Sequence, residues 1–338
     1  MVITRPGQEP GRHRVLARTI RGIEDIVAAE VAELPAAVLG LGHREVDFEL
    51  GDLGRALELG TADDVFLVVD EGPPVGRKRP DLTRLRPSVD LDAAARRIGA
   101  RRRVAGRSFD VSLSFLGRRS YSRFDAEDAL GRHVAAATGW RYRSRRDGDP
   151  GATSLSLRVH LTDAGATVGV RLGARPLHRR PYRVVSRPGA LHPPLARAMV
   201  RLARPCFGAR LADPFCGTGT IAVEAKLCRP DLRVVASDVD GDAVRAARTN
   251  VAAAGVEVSV RRAPAASLDA ADCVVSNPPW GRRVALRGGE PDLARALPPG
   301  GRVVLLTARG APPWVDVDER RTVRVAGRLA ELLVGRRR

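Results

Sequence analysis

Lysine is nearly missing from this chain. It occurs only at Lys78 and Lys226, although 338 residues carry 57 basic side chains against 39 acidic ones. Arginine therefore supplies almost all the positive charge, and its planar fork suits bidentate contacts with phosphate. A compositional bias could choose arginine over lysine, but it would not create a net charge of +18. That excess points to a polyanionic partner, nucleic acid first, against the plainer reading of a generally basic surface. Cysteine is also scarce. Cys206, Cys216, Cys228 and Cys273 have neither paired metal-ligand spacing nor the density of a disulfide scaffold, so they are expected to be reduced and mostly buried. The six histidines are equally scattered, and no metal site is expected. No apolar run approaches the ~20 residues that span a bilayer, and the start, MVITRPGQEPGRH, is polar. The protein is expected to be cytoplasmic, without a membrane partner, and a monomer.

The chain is long enough, at 44% hydrophobic residues, to fill two or three cores. The first seventy residues alternate short strands (14–20, 45–50, 64–70) with helices (23–34, 52–60), the pattern of a ferredoxin-like α/β sandwich. A stretch rich in Pro, Gly and charge, 72-GPPVGRKRPDL-82, reads as an exposed loop. A second mixed region follows: helices over 90–100 and 125–139, the latter closed by Gly139 as a left-handed cap, and strands over 108–115, 155–162 and 166–172. The basic clusters lie mainly here, as 101-RRR-103, 117-GRRSYSRF-124 and 140-WRYRSRR-146. Arginine interleaved with Trp140, Tyr121 and Tyr142 suggests phosphate contacts with ring faces for stacking on bases. For any one cluster, a solvated charged face is an equal alternative; the clusters together favour RNA or DNA.

From about residue 193 the rhythm becomes regular. Helices over 193–203, 220–228 and 242–254 separate apolar strands over 209–214, 233–238, 256–260, 272–277 and 302–308. Near-continuous Val, Leu and Ala strands between amphipathic helices mean a mostly parallel, doubly wound sheet of Rossmann-like kind, which binds ligands at the carboxyl ends of its strands.

Two motifs stand at such ends. In 213-DPFCGTGTIAVEA-225, Gly217 and Gly219 let the backbone turn tightly and approach a ligand. The run 217-GTGTIA-222 matches a dinucleotide fingerprint, with acidic Asp238 about twenty residues on, so an NAD enzyme is a rival reading. Asp213 argues against it, because a carboxylate at the loop mouth repels a pyrophosphate and attracts a sulfonium or ammonium group. S-adenosylmethionine carries both cations, and Asp238 can accept from its ribose hydroxyls. In 277-NPPW-280 the prolines remove two backbone donors and stiffen the chain, so the Asn277 side-chain oxygen and the Pro278 carbonyl form a fixed acceptor pair. A planar amino group donating to both would turn its lone pair toward a methyl donor, with Trp280 stacked on the base.

DPFCGTGTI together with SNPPWG resembles the THUMP-domain class I RNA methyltransferases, which methylate the exocyclic N2 of guanosine. The likeness covers nearly the whole chain, from 17-ARTIRGIEDIVAAEVAEL-34 through 155-LSLRVHLTDAGATVGVRL-172 and the bridge 177-LHRRPYRVVSRPGALHPPLARAMVRLA-203 to closing strands over 323–337. It implies a ferredoxin-like domain over 1–70, a THUMP RNA-binding domain over 71–172, a linker over 173–192 and the methyltransferase domain over 193–338. It also implies a tRNA substrate, with an acceptor-stem guanosine as target. On the family pattern, Asn277, Pro278 and Trp280 would be catalytic. Asp213, Phe215, Gly217, Thr218, Gly219, Thr220, Asp238, Val239, Ala265 and Asn277 would surround S-adenosylmethionine. Arg118, Arg119, Arg141, Arg143, Arg145 and Arg146 would meet the RNA. Ribosomal RNA is the second substrate reading, and an inactive RNA-binding relative the second class. The NPPW run is also similar to adenine-N6 and glutamine-N5 methyltransferases. Pro264 stands where the family usually has an acid for the adenine amine, and the segment from Arg282 to Gly300 is short.

Overall fold

The structure, a computed structural model, describes residues 11–99, 104, 106–146, 148–149, 153–279, 290–325 and 327–338. Trp280 lies outside these residues. The chain divides into two compact units, one drawn from 1–18, 31–59 and 64–177, the other from 19–30, 60–63 and 178–338.

The first unit is built on strands β1 (His13–Arg18), β2 (Ala36–Gly42), β3 (Glu45–Leu50), β4 (Asp64–Gly72), β5 (Ser108–Phe115), β6 (Arg141–Tyr142), β7 (Leu155–Leu161) and β8 (Ala166–Arg171). They form one eight-stranded sheet in the order β2-β3-β1-β4-β8-β7-β5-β6. The strand β4 runs through position 70 and pairs with β1 on one side and β8 on the other, so the sheet is continuous across the boundary expected there. Successive side chains point to opposite faces of a strand. Phe109, Val111 and Leu113 of β5 and Leu155, Leu157 and Val159 of β7 are buried on one face, and Asp110, Ser112, Ser156 and Arg158 alternate with them. Helices α2 (Leu91–Gly99) and α3 (Arg123–Thr138) belong to this unit, and bury Leu91, Ala94, Ile98, Ala126, Leu130 and Val134. A capping box starts α3: Ser122 Oγ accepts from the Asp125 amide, and the Asp125 carboxylate accepts from the Ser122 amide. Gly139 ends it at φ 71°, the left-handed cap expected from the sequence.

Sequence reasoning missed β2, whose AAVLGLG run has no polar alternation. It also placed a helix over 52–60, where only a 3-10 turn forms at Arg55–Glu58. A short segment with Gly54 and Gly60 at its ends cannot repay the nucleation of an α-helix.

The second unit holds α1 (Glu24–Val31) apart from its last residue, then α4 (Pro193–Ala203), β9 (Arg210–Asp213), α5 (Thr220–Cys228), β10 (Arg233–Asp238), α6 (Gly241–Ala254), β11 (Ser259–Arg262), β12 (Cys273–Ser276), α7 (Glu290–Ala296), β13 (Arg302–Thr307), β14 (Val315–Val325) and β15 (Arg328–Arg337). Its seven-stranded sheet has the order β11-β10-β9-β12-β13-β15-β14. The strands β11 to β13 are parallel, and the β14–β15 pair adds an antiparallel edge. This is the mixed, mostly parallel Rossmann-like sheet read from the sequence; the third strand forms at 259–262 rather than 256–260. The chain leaves β9 to build β10 and β11 on one side, then returns to place β12 on the other. That reversal is the switch point where such sheets bind ligands.

One core cluster joins Leu195 and Met199 of α4, Ile221 of α5, Leu211, Val275 and Val304 of the sheet, and Ile26 of α1 with Ile23 just before it. The helix expected in the N-terminal sandwich therefore packs in the methyltransferase-like core. Gly22 permits this: its φ is 98°, and a Cβ there would lie 2.5 Å from the Thr322 carbonyl oxygen. Arg321 fixes the same place through Asp25, with Nη2 2.7 Å from Oδ2.

Candidate functional site

The strands β9 and β12 lie side by side, with Leu211 opposite Cys273 and Ala212 opposite Val274. Their carboxyl ends therefore bring Asp213 and Ser276 together. Ser276 Oγ donates to Asp213 Oδ1 at 2.6 Å, and the Phe215 amide donates to the same oxygen at 3.3 Å. Asp213 is only 1% exposed. Burial pushes its carboxyl up to about 7, against those hydrogen bonds, with the Asp238 charge adding a smaller upward push. A cation placed beside it would restore the carboxylate.

The loop from β9 to α5 turns through two left-handed glycines, Gly217 at φ 53° and Gly219 at φ 78°. Gly219 is required twice over, because a Cβ there would also meet Ala247 Cβ of α6 at 3.1 Å. Both oxygens of Asp238 are held by backbone: the Gly217 amide donates to Oδ2 and the Asp240 amide to Oδ1, each at 3.0 Å. The Thr218 and Thr220 hydroxyls are buried, 3.4 Å apart. Phe215 is half-buried beside this loop, and Val239, after Asp238, is 45% exposed. Ala265 is buried at the start of the short 3-10 turn Ala265–Ser267, directly after Pro264.

Across the switch point, β12 delivers Asn277, Pro278 and Pro279. Asn277 Oδ1 is buried and accepts no hydrogen bond among the described residues. A buried acceptor without a donor costs free energy, and in native proteins such a group commonly awaits a ligand or water. An exocyclic amine is a donor of the required kind. The sequence-predicted residues of both motifs are thus at neighbouring strand ends; Trp280 lies outside the described residues.

Two supporting residues escaped the sequence reading. Ser276, the residue before the NPPW run, couples the motifs through Asp213. Asn250 of α6 donates from Nδ2 to the Thr218 carbonyl at 3.0 Å and to the Val185 carbonyl at 2.9 Å, tying the glycine loop to the bridge segment. Ser276 ends the apolar run Cys273–Val275, and Asn250 falls at helical spacing from Ala243, Ala246 and Ala247, which was the available signal.

The arginine clusters of the first unit divide. Arg118, Arg141 and Arg143 are exposed, with no carboxylate partner among the described residues. Arg119 donates to the Val75 and Gly76 carbonyls, Arg145 pairs with buried Asp110 at 2.7 Å, and Arg146 pairs with Asp125 at 3.0 Å and Asp128 at 2.8 Å. The aromatic residues beside them are not base-stacking platforms. Trp140 and Tyr121 are 3% and 4% exposed; Trp140 Nε1 donates to Asp92, Tyr121 Oη to the Gly76 carbonyl and half-buried Tyr142 Oη to Asp128. Their polar tips are satisfied inside the fold, and the guanidinium groups of Arg107 and Arg119 lie over the Trp140 and Tyr121 rings.

Among the described residues, no cluster of His, Cys, Asp and Glu could hold a metal ion, and no helix is long and apolar enough to cross a membrane. The cysteines are free; Cys216 and Cys273 are buried, Cys228 is half-buried and Cys206 is exposed. Burial pushes the Cys273 thiol up to about 12 and Cys216 higher still, so neither is a nucleophile at neutral pH.

Residues 180–297 match the family model described as "RMKL-like, methyltransferase domain". The chain is 32% identical over 339 residues to a tRNA (guanine(6)-N2)-methyltransferase of Thermus thermophilus, covering 92% of this chain and 96% of that one. A tRNA (guanine(10)-N2)-dimethyltransferase of Methanothermobacter thermautotrophicus is 35% identical over 168 residues, 45% of this chain and 47% of its own length. The crystal structure of TrmN from Thermus thermophilus superposes with a TM-score of 0.74 at 27% identity, covering 96% of this chain and 99% of that one. With Asp213, the glycine loop and Asn277 in place at the switch point, the chain belongs to the S-adenosylmethionine-dependent RNA guanine-N2 methyltransferase family that includes the Thermus thermophilus enzyme.

Proposed function

We propose that the protein methylates the exocyclic N2 amine of a guanosine in tRNA, with the acceptor stem as its region of action. The observation that carries this reading is the buried Asn277 Oδ1, which accepts no hydrogen bond among the described residues, beside the loop of Asp213 and Asp238. The relative over nearly the full length is a tRNA (guanine(6)-N2)-methyltransferase, which favours tRNA over ribosomal RNA.

S-adenosylmethionine supplies an electrophilic methyl group on a sulfonium centre. Asp213 would face its cationic methionine end, Asp238 its ribose hydroxyls, and Ala265 its adenine edge; Phe215, Thr218, Thr220 and Val239 complete the wall. Asn277 Oδ1 and the Pro278 carbonyl accept from the guanosine amine, which draws its lone pair out of conjugation with the ring and aims it. Trp280 stacks on the base. The proton leaves after methyl transfer, so a strongly perturbed general base is not required. The net positive first unit, with exposed Arg118, Arg141 and Arg143, engages RNA phosphates. In this reading 1–70 and 71–172 are the ferredoxin-like and THUMP regions, 173–192 the linker and 193–338 the catalytic domain, working in the cytoplasm as a monomer without metal.

Nucleoside mass spectrometry on unmodified tRNA incubated with the protein and labelled methyl donor tests this. The expected product is N2-methylguanosine; label in N6-methyladenosine, or none in any RNA, would overturn the reading.

A further inference from the structure

Strand alternation places Ser112 and Ser114 of β5, Arg158 and His160 of β7, and Thr167 and Gly169 of β8 on the polar face of the eight-stranded sheet. The register sets Arg158 between Ser112 and Gly169, so the side chains on either side of it are small. Arg158 Nη1 donates to Ser112 Oγ at 2.9 Å, while its Nε is buried and donates to nothing among the described residues.

The surrounding cations are treated differently. Arg18 pairs with Glu45 at 2.7 Å, and Arg171 with Asp64 at 2.7 Å. Arg158 has no carboxylate within ion-pair distance among the described residues. Burial pulls its pKa down to about 10, helped by Arg18, Arg171 and Arg44 against the attraction of Asp64. His160, whose Nδ1 lies 2.9 Å from Ser114 Oγ, is pulled to about 4 by burial and by Arg18, Arg158 and His43. A buried guanidinium left without a counter-charge is unfavourable in the free protein, and an incoming anion relieves that cost.

The donor set suits a tetrahedral oxyanion. A guanidinium offers a planar fork, and Ser112 Oγ, already accepting from Arg158, keeps its O–H free to donate. We infer that Arg158 and Ser112 form a phosphate-binding site, and that its ligand in the working complex is a backbone phosphodiester of the RNA substrate. This rests on the RNA-substrate reading above and adds a site apart from the exposed arginines Arg118, Arg141 and Arg143. Inorganic phosphate shares the chemistry, so the test must separate the two sources.

The full chain, its Arg158→Gln variant and its Ser112→Ala variant are compared in two measurements. The first is melting temperature in inorganic phosphate against chloride at equal ionic strength; the second is affinity for unmodified tRNA across a salt series. Phosphate is expected to raise the melting temperature of the wild type and to lose that effect in Arg158→Gln. The same variant is expected to bind tRNA about three- to tenfold more weakly, with the slope of log affinity against log salt shallower by about 0.7 to 0.9. Loss of the phosphate effect with unchanged tRNA affinity would assign the site to free phosphate and overturn the RNA assignment. Retention of both would overturn the site. Should Arg158→Gln fail to fold, Ser112→Ala, which keeps the guanidinium but removes the second donor, decides by the same criteria. A wild type that binds no tRNA counts against the substrate reading itself, while the phosphate measurement still judges the site.

Discussion

Ser276 Oγ donates to Asp213 Oδ1 across 2.6 Å, at a point where both side chains are essentially inaccessible to water. One hydrogen bond thus joins the residue expected to meet the cationic end of the methyl donor to the strand that presents the amine acceptors.

The Asp213 carboxyl sits at about 7 because of its burial, so cofactor binding should depend on pH. Affinity for S-adenosylmethionine should weaken as pH falls below about 7, by up to about tenfold per unit, because protonation removes the charge that faces the cation. In Ser276→Ala the carboxyl loses its best donor and its pKa rises further, so affinity at pH 7 should drop about three- to tenfold and recover at higher pH. Ser276→Thr should restore the wild-type profile. Calorimetric titration from pH 6 to 9 checks this, and a pH-independent affinity in the wild type counts against the role of Asp213.

The same shift has a stability consequence of opposite sense. The folded protein keeps the Asp213 proton up to about pH 7, whereas the unfolded chain releases it near 3.8. The protonated carboxyl therefore contributes stability that is fully present below about 3.8 and is lost as pH rises through about 7. Relative to wild type, Asp213→Asn should gain cofactor-free stability over that window, at most about 1.4 kcal/mol per pH unit. Chemical denaturation at matched pH values measures the difference; a constant offset would contradict it.

Glu224 of α5 is fully buried between Arg180 of the bridge segment, at 2.9 Å, and Arg197 of α4, at 2.8 Å, and accepts from Tyr182 Oη at 2.9 Å. Removing the central charge strands two guanidinium groups. Glu224→Ala should cost roughly 3 to 5 kcal/mol of stability, readable as a shifted denaturation midpoint.

At Gly219, φ 78° and the approach of Ala247 act together. Gly219→Ala should destabilise by about 1 to 3 kcal/mol and weaken cofactor binding, because the loop must shift to clear α6. A variant with normal stability and affinity would show the loop to be adaptable.

The methyltransferase half was legible because its signals are local and mutually consistent. Apolar runs end at Asp213, Asp238 and Asn277, and glycines stand where the turn needs positive φ. The membership of α1 was not legible: IEDIVAAEV carries an ordinary amphipathic signal, and its destination is fixed by Gly22 and by Arg321, some 300 positions away in the chain. The aromatic residues of the arginine clusters misled for a related reason. Trp140 and Tyr121 stand beside arginines in sequence, but their polar tips find Asp92 and the Gly76 carbonyl, which only the fold brings near. Ser276 needed the pairing of β12 with β9 before its partner could be seen.

The role assigned to Asn277 Oδ1, which accepts no hydrogen bond among the described residues, is to hold the nucleophilic amine. It is tested most directly by single-turnover methyl transfer to unmodified tRNA by Asn277→Ala, with cofactor affinity measured in parallel. Turnover should fall by about a hundredfold or more with cofactor affinity nearly intact; wild-type turnover in Asn277→Ala would contradict that role.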